Sequence, residues 1–211
     1  MIIAIEGIDK SGKRTQAVLL RDALQKRRVD SALIDFPTKG TLTGEAVAAY
    51  FRNTARSDLY PSHHRHVLPC LAAADMWAAS EKVESALRMR DVLVLNRSPA
   101  SNLAYGRAAE LNHAWLRSLT AGHPANGTPR LTVLLDMPVS ESFRRVPENR
   151  DAFESDRHFL NDVRATYLSE ARRHKWTVVR ANRPAADVHH TILRRVMPRI
   201  REVLRQREAA L

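Results

Sequence analysis

The sequence predicts an α/β fold built on a parallel β-sheet, and three observations support that prediction. Five short, mostly apolar segments are separated by longer amphipathic ones, the order expected when helices join parallel strands. The apolar segments lack strict alternation of apolar and polar residues, which is typical of strands covered on both faces. The 211 residues contain no repeat and no low-complexity tract, so we expect a single domain over residues 1–211.

The elements follow one another along the whole chain. The predicted strands lie at residues 2–5, 32–35, 92–95, 131–135 and 177–179. Helices are predicted near residues 13–27, 42–52, 62–89, 98–121, 139–145, 155–174 and 186–207. Pro69 and Pro198 fall inside two of these helices, and we expect each proline to kink or interrupt its helix. The turn-rich residues 122–129 predict a loop before the fourth strand.

Composition excludes several classes of protein. Hydrophobic residues at 44% and charged residues at 27% are typical of a globular protein and exclude wholesale disorder. No apolar run approaches 18 residues, so we expect no membrane partner. The first residues have neither a basic region nor a cleavage site, which favours the cytoplasm. Cys70 is the single cysteine, which excludes an intramolecular disulfide and a cysteine-based zinc site.

The formal net charge of +11 has two possible explanations. Six of the 34 positively charged residues are lysine and the other 28 are arginine. Arginine binds phosphate bidentately, so the excess is compatible with polyphosphate or nucleic-acid partners. A GC-rich genome, which favours arginine over lysine codons, is the simpler explanation for the bulk of the excess.

A phosphate-binding loop follows the first strand directly. Residues 7–13 match the pattern G-x-x-x-x-G-K, with a strand before them and a predicted helix after them. Gly7 and Gly12 allow the backbone to curl so that its N–H groups face phosphate oxygens, and Lys13 is expected to reach the β- and γ-phosphates. The Ser or Thr that usually follows the lysine is Arg14 here. The predicted ATP-binding residues are Gly7, Ser11, Gly12, Lys13, Arg14 and Thr15.

Several further segments, in order along the chain, are similar to the thymidylate kinase family. Residues 6–16 resemble the opening of these enzymes. The other similar stretches are Phe36-Pro37 with Lys39, Thr41 and Gly44; Asn96-Arg97 with Ser101, Asn102 and Tyr105; residues 131–138; and Arg150 to Glu154 with Phe159, Val163, Arg164, Tyr167 and Leu168. Because these stretches cover nearly the whole chain in register, the sequence is identified as a member of that family.

The resemblance implies a fold, a reaction and partners. It implies a five-stranded parallel sheet of order 2-3-1-4-5, a P-loop kinase fold with a lid at about residues 144–153, and commonly a homodimer. The implied reaction is phosphorylation of dTMP to dTDP by ATP with Mg²⁺. The partners are therefore small-molecule nucleotides, and no nucleic acid is expected.

The resemblance also implies roles for individual residues. The implied catalytic residues are Asp9, Lys10, Lys13, Arg97 and Arg150. Lys10 would stabilise charge on the transferring phosphoryl group, and Arg97 would hold the acceptor phosphate with help from Lys39. The implied acceptor-binding residues are Asp9, Phe36, Lys39, Ala72, Met76, Arg97, Ser101, Asn102 and Tyr105. Asp9, and Asn96 through a water molecule, would contribute weakly to a Mg²⁺ site.

The base pocket departs from the family pattern. The segment at residues 71–77 aligns with a family segment that carries a Phe stacked on thymine and an Arg bonded to it, and those positions here are Ala72 and Met76. A pocket without these groups is larger and less polar, so it discriminates weakly between bases. Two explanations stay open: a kinase for dTMP or for another or modified pyrimidine deoxynucleotide, and a nucleotide-binding relative with weak activity.

A second departure concerns Mg²⁺. Asn96 stands where the family pattern has Asp before the arginine, and an amide can bond a metal-bound water but adds no negative charge. Arg14 in place of Ser or Thr acts in the same direction. We therefore expect weaker Mg²⁺ binding than the family pattern implies.

Two arginine-rich stretches have alternative explanations. Arg144 and Arg145 fit either a phosphate-facing lid or a solvated charged helix. The basic residues of the predicted helix 186–207 could form a nucleic-acid-binding face. Its apolar residues recur at helical spacing, however, which favours a packed terminal helix with a solvated basic side.

Overall fold

The computed structural model describes residues 1–54, 65–127, 130–145 and 156–209, with the side chains of 52–54 and 207–208 left aside. Five strands form one parallel sheet in the order β2-β3-β1-β4-β5, as the resemblance implied. They are β1 (Ile2–Glu6), β2 (Ser31–Asp35), β3 (Val92–Asn96), β4 (Arg130–Asp136) and β5 (Thr177–Arg180).

Nine α-helices lie within the described ranges. They are α1 (Lys13–Gln25), α2 (Leu42–Thr54), α3 (Val67–Ala78), α4 (Ser80–Met89), α5 (Pro99–Ala108), α6 (His113–Ser118), α7 (Val139–Arg145), α8 (Arg157–Arg173) and α9 (Ala185–Glu208). A short 3₁₀ turn at Pro124–Asn126 lies in the loop predicted before β4.

The sheet is buried on both faces, which explains why its strands do not alternate in polarity. On one face, Ile3, Ile5 and Val94 pack against α1 and α9. On the other, Ile2, Ala4 and Leu95 pack with the residues of α3 and α4, and the β4 end of the same face packs against α5 and α8.

Two of the predicted helices are wrong in length, because the structure has two shorter helices in place of each. The helix predicted at 62–89 breaks at Ala79 (φ −94°, ψ 3°), between α3 and α4, whereas Pro69 lies in the first turn of α3, where proline is tolerated. The helix predicted at 98–121 ends at Ala108 and restarts at His113, after Asn112 caps the new N-terminus by accepting from Trp115 N (3.0 Å).

The apolar residues of the C-terminal helix pack in the core, as one of the two explanations for this helix predicts. Helix α9 continues through Pro198, so that proline does not interrupt it. Ile192, Val196 and Ile200 are fully buried against α1 and the sheet, while the arginines of the opposite side are exposed. The apolar stripe therefore belongs to the core, as expected for a packed terminal helix. Among the described residues, none of the helices is both long enough and apolar enough to cross a membrane.

Candidate active site

Polar side chains gather where the strands of the sheet end. Glu6 ends β1, Asp35 ends β2, Asn96 ends β3 and Asp136 ends β4. In open α/β sheets ligands bind outside the carboxyl ends of the strands, so the topology places the predicted site residues at one edge.

The phosphate-binding loop has the backbone that its glycines predict. Gly7 has φ +147°, and a Cβ built on it would lie 2.7 Å from Leu135 O and from Ser11 Oγ. Gly12 has φ +91° and forms the N-cap of α1. Both positions therefore need glycine, since L side chains avoid these conformations and Gly7 has no room for one.

Lys13 is held inside this loop. Its Nζ donates to Ile8 O (2.8 Å) and lies 3.5 Å from Asp9 Oδ1. Burial, together with the positive charge of Arg97, lowers the pKa of Lys13 to about 8, although Asp9 and Glu6 act in the opposite direction. A phosphate that entered the loop would return the full charge to this amine.

Asp9 joins the phosphate loop to β3 and α5. Its carboxylate pairs with the guanidinium of Arg97 and accepts from Tyr105 Oη (2.6 Å). Burial opposes ionisation of Asp9, but the charges of Arg97 and Lys13 and these hydrogen bonds outweigh it and hold its pKa well below the usual range. Asp9, Lys13 and Arg97 thus form one charged cluster.

Arg97 adopts a backbone conformation that non-glycine residues rarely occupy, with φ 69°. It follows β3 directly, so this conformation turns its side chain back toward Asp9. Its guanidinium also lies over the Tyr105 ring, 5.4 Å from the centroid, and contacts Ser101 Oγ at 3.3 Å. Four of the predicted site residues, Asp9, Arg97, Ser101 and Tyr105, are therefore in direct contact.

A buried carboxylate supports this cluster from below, and sequence reasoning assigned it no role. Glu6 is fully buried and accepts from Ser98 Oγ (2.7 Å), Ser101 Oγ (2.6 Å) and Tyr167 Oη (2.9 Å). Burial and the Glu6 charge raise the pKa of Tyr167 well above its usual value. The signal available in the sequence was a glutamate closing an otherwise apolar strand.

A cavity of about 830 Å³, open to solvent, adjoins the charged cluster. Of the predicted acceptor-binding residues, eight line it: Asp9, Phe36, Ala72, Met76, Arg97, Ser101, Asn102 and Tyr105. Lys39 does not; it is exposed and lines a separate cavity of about 970 Å³ with Arg14 and Asp35. The structure therefore brings together the acceptor residues that lie up to 96 positions apart in the chain and leaves Lys39 beside them.

The end of the cavity lined by Ala72 and Met76, where the resemblance places the base, is mostly apolar; we call it the base end. Met76 is 3% exposed and packs with Phe36, and Ala72 is half-buried. Asn102 donates its Nδ2 to Pro69 O (3.0 Å) and so holds α5 against α3. Arg65, which sequence reasoning missed, also lines this cavity and lies 3.8 Å from Glu110.

Asp75 lies in the segment at residues 71–77, which departs from the family pattern, and its carboxylate makes structural contacts. Asp75 is buried and accepts from Thr38 N (2.9 Å), Thr38 Oγ1 and Thr43 Oγ1 (3.0 Å). A Cβ on Gly44 would lie 1.6 Å from Thr38 O, so glycine is required where α2 crosses this loop. Asp75 thereby fixes the loop that follows β2 against α3.

Arg14, Asp35 and Asn96 form a second polar group beside the phosphate loop. Asn96 Nδ2 donates to Asp35 Oδ1 (2.9 Å), and Arg14 Nη2 lies 3.7 Å from Asp35 Oδ2. Thr15, the neighbouring hydroxyl, is exposed in the first turn of α1. Asp35 was not predicted as a site residue.

The two arginines of the predicted lid that the structure describes, Arg144 and Arg145, have different surroundings. Arg144 is exposed and pairs with Glu141 (2.8 Å), as a solvated helix would. Arg145 donates to Lys10 O (3.1 Å) and to Ala181 O (2.6 Å), so it spans the phosphate loop and the segment after β5. Arg150 and the rest of the predicted lid from residue 146 onward lie outside the described residues.

Comparisons with known proteins identify the family. The family model described as thymidylate kinase matches residues 5–192. A thymidylate kinase from Desulforudis audaxviator is 34% identical over 203 residues, which cover 93% of this chain and 90% of that protein. A protein named as a probable thymidylate kinase from Pyrococcus abyssi is 33% identical, over 90% of this chain and 93% of its own. The match extends from the first strand into the last helix, and the chain therefore belongs to the thymidylate kinase family.

Proposed function

We propose that this protein transfers the γ-phosphoryl group of ATP to dTMP, giving ADP and dTDP. The observation that carries the proposal is the cluster of Asp9, Lys13 and Arg97, which stands between the phosphate loop and the acceptor cavity. One side of it can hold the donor phosphates and the other the acceptor phosphate. Nothing in the described residues favours a different monophosphate.

The reaction requires little covalent work by the protein. An acceptor phosphate oxygen bonds to the γ-phosphorus while the bond to the β–γ bridging oxygen breaks, and ADP leaves with that oxygen. The loop N–H groups and Lys13 bind the donor phosphates, and Arg97 holds the acceptor phosphate in line. Asp9 orients Arg97, and Tyr105 donates to Asp9 because burial and the Asp9 charge raise its pKa and keep it protonated.

Lys10 and Arg145 are the remaining described residues to which we assign a role on the ATP side of the site. Lys10 has φ 62° in the loop, and its carbonyl accepts from Arg145. We assign Arg145 to holding the phosphate loop against the segment after β5. Lys10 is assigned to the transferring phosphoryl group and Arg150 to the lid.

Mg²⁺ belongs to this proposal as the partner of ATP. Asn96 offers a buried amide oxygen without a hydrogen-bond partner among the described residues, and Asp35 offers a carboxylate beside it. Oxygen donors of this kind suit Mg²⁺, which keeps most of its water ligands and needs only one or two protein carboxylates. When bound, it neutralises charge on the β- and γ-phosphates.

Three further expectations from the sequence are part of the proposal. They are a single kinase domain over residues 1–211, a homodimer and a cytoplasmic location. Sedimentation velocity of the purified chain tests the dimer directly, and a single species at the monomer mass would contradict it.

A coupled assay that detects ADP tests the proposed reaction. With ATP and Mg²⁺, we expect dTMP to be phosphorylated faster than dUMP, dCMP or dGMP, and Lys13→Ala, whose activity should be far lower, serves as the control for contaminating kinases. Equal rates for all four acceptors would contradict dTMP as the substrate. If none reacts while ATP still raises the Tm, the protein is a nucleotide-binding relative without this activity.

A further inference from the structure

Arg14, Asp35 and Asn96 lie side by side near the carboxyl ends of β2 and β3. Asp35 and Asn96 end these two strands and are paired in the sheet register. Arg14, in the first turn of α1, reaches the same carboxylate. Arg14 and Asn96 are the two departures that reduce the expected affinity for Mg²⁺, so their shared contact with Asp35 links both departures to one group.

The hydrogen bond to Asp35 fixes the orientation of the Asn96 side-chain amide. A carboxylate only accepts hydrogen bonds, so the Asn96 amide nitrogen must face Asp35 and its carbonyl oxygen must face away. That oxygen is buried and has no hydrogen-bond partner among the residues that the structure describes. An unpaired buried carbonyl costs free energy, which a metal-bound water could recover by donating to it.

The negative charge missing from β3 is present on the adjacent strand. Where the family pattern has Asp, this chain has neutral Asn96, and its cross-strand neighbour is Asp35, whose side chain is 23% exposed. A carboxylate is therefore still present at this edge of the phosphate loop, on β2 instead of β3. Both side chains line the cavity of about 970 Å³ that also contains Arg14.

We propose that Asp35 is the carboxylate that holds the water shell of Mg²⁺·ATP in this protein, oriented by Asn96 and balanced by Arg14. This inference rests on the proposed function for the presence of Mg²⁺·ATP in the loop. Asp35 is a positioning residue: it acts through metal-bound water, and Asn96 donates one hydrogen bond to it while its own free oxygen accepts from the same shell.

Because of Arg14, the loss of Asp35 should affect ATP binding differently in the presence and in the absence of Mg²⁺. With Asp35 in place, the guanidinium has a counter-charge 3.7 Å away. Removing that carboxylate leaves the Arg14 charge beside the phosphate loop, where it attracts metal-free ATP. Loss of Asp35 should therefore weaken ATP binding only when Mg²⁺ is present.

Titration calorimetry with ATP, once with saturating Mg²⁺ and once with EDTA, measures this difference. For Asp35→Asn we expect the enhancement of ATP affinity by Mg²⁺ to fall about 10- to 100-fold, the usual range for residues that orient a metal site. Affinity in EDTA should stay the same or rise. The exchange variant Asp35→Asn/Asn96→Asp, which returns the carboxylate to β3, should recover most of the enhancement.

A matched control lies at the other end of the same strand. Asp30 precedes β2 and pairs with Arg90 in an exposed ion pair, so Asp30→Asn should leave both ATP affinities unchanged. The proposal is overturned if Asp35→Asn lowers ATP affinity equally in EDTA and in Mg²⁺, if the Mg²⁺ enhancement is unchanged, or if the exchange variant recovers nothing.

These measurements contain no acceptor, so they separate the two proposals. A protein that fails to phosphorylate dTMP but shows the Asp35-dependent Mg²⁺ enhancement refutes the proposed reaction alone. A protein that phosphorylates dTMP but shows no Asp35 dependence refutes the displaced carboxylate alone.

Discussion

The phosphate end and the base end of the candidate site are built differently. At the phosphate end, Asp9 forms ion pairs with both Lys13 and Arg97; Lys13 is buried, and Asp9 and Arg97 are partly buried. At the base end, Ala72 and Met76 contribute apolar surface where the family pattern has an aromatic ring and an arginine. The difference indicates that phosphoryl transfer needs charges held in fixed positions, whereas a base can bind to an apolar surface of complementary shape.

Removal of the charge in the phosphate loop should have the largest effect. Lys13→Ala should lower kcat/KM for the ATP-dependent reaction by about 10²- to 10³-fold, the size typical of one preorganised charge-stabilising group. Steady-state kinetics at saturating acceptor measure it, with the Tm as control. Near-normal turnover in this variant would refute the role of the loop and remove the contrast between the two ends.

Arg97 should come next. Arg97→Gln removes a guanidinium bonded to Asp9, and we expect kcat/KM for the acceptor to fall about 10²-fold, since charge-assisted hydrogen bonds contribute up to about 3 kcal/mol. The KM for ATP should change far less. A loss that appears equally in the KM for ATP would mean that Arg97 serves the loop rather than the acceptor. Arg97→Lys tests whether charge alone suffices.

The pKa of Lys13 predicts a pH dependence of ATP binding. In the free protein Lys13 is protonated below a pKa of about 8 and neutral above it, and bound phosphate favours the protonated form. ATP affinity should therefore be flat below about pH 8 and fall by up to tenfold per pH unit above it. Titration calorimetry with ATP at constant Mg²⁺, over the range from about pH 6.5 to about 9.5, tests this prediction. Lys13→Arg, which stays charged over that range, should flatten the profile.

The neighbouring arginines of α7 provide a matched pair. Arg145→Ala removes two hydrogen bonds to loop carbonyls and should weaken ATP binding about tenfold, the equivalent of about 1.4 kcal/mol. Arg144→Ala removes an exposed ion pair with Glu141 and should leave affinity unchanged. Equal effects of the two changes would indicate that the bonds of Arg145 do not support the loop.

The base end should give the smallest effect. Ala72→Phe/Met76→Arg restores the aromatic ring and the arginine of the family pattern, and we expect the ratio of kcat/KM for dTMP over dUMP to rise several-fold, up to about tenfold. Competition assays with both acceptors measure the ratio. An unchanged ratio with a folded variant would mean that positions 72 and 76 do not contact the base.

Much of the site was predictable because its signals are local. The glycines, Lys13 and the strand before them are consecutive, and Arg97 follows a strand that can be recognised from its own residues. The breaks in the two long predicted helices could not be predicted, because Ala79 and residues 109–112 carry no glycine or proline. The cap at Asn112 was the one signal that could have placed the second helix.

The sequence alone determined the phosphate loop, the parallel α/β class and the family, since each depends on residues close together or on segments in register. Only the tertiary structure decided that Asp35 lies beside Asn96, 61 positions away, and that Arg145 faces the loop while Arg144 faces solvent. The physical reason is that strand pairing and helix orientation set which side chains meet. Adjacent residues of identical chemistry therefore acquire different partners.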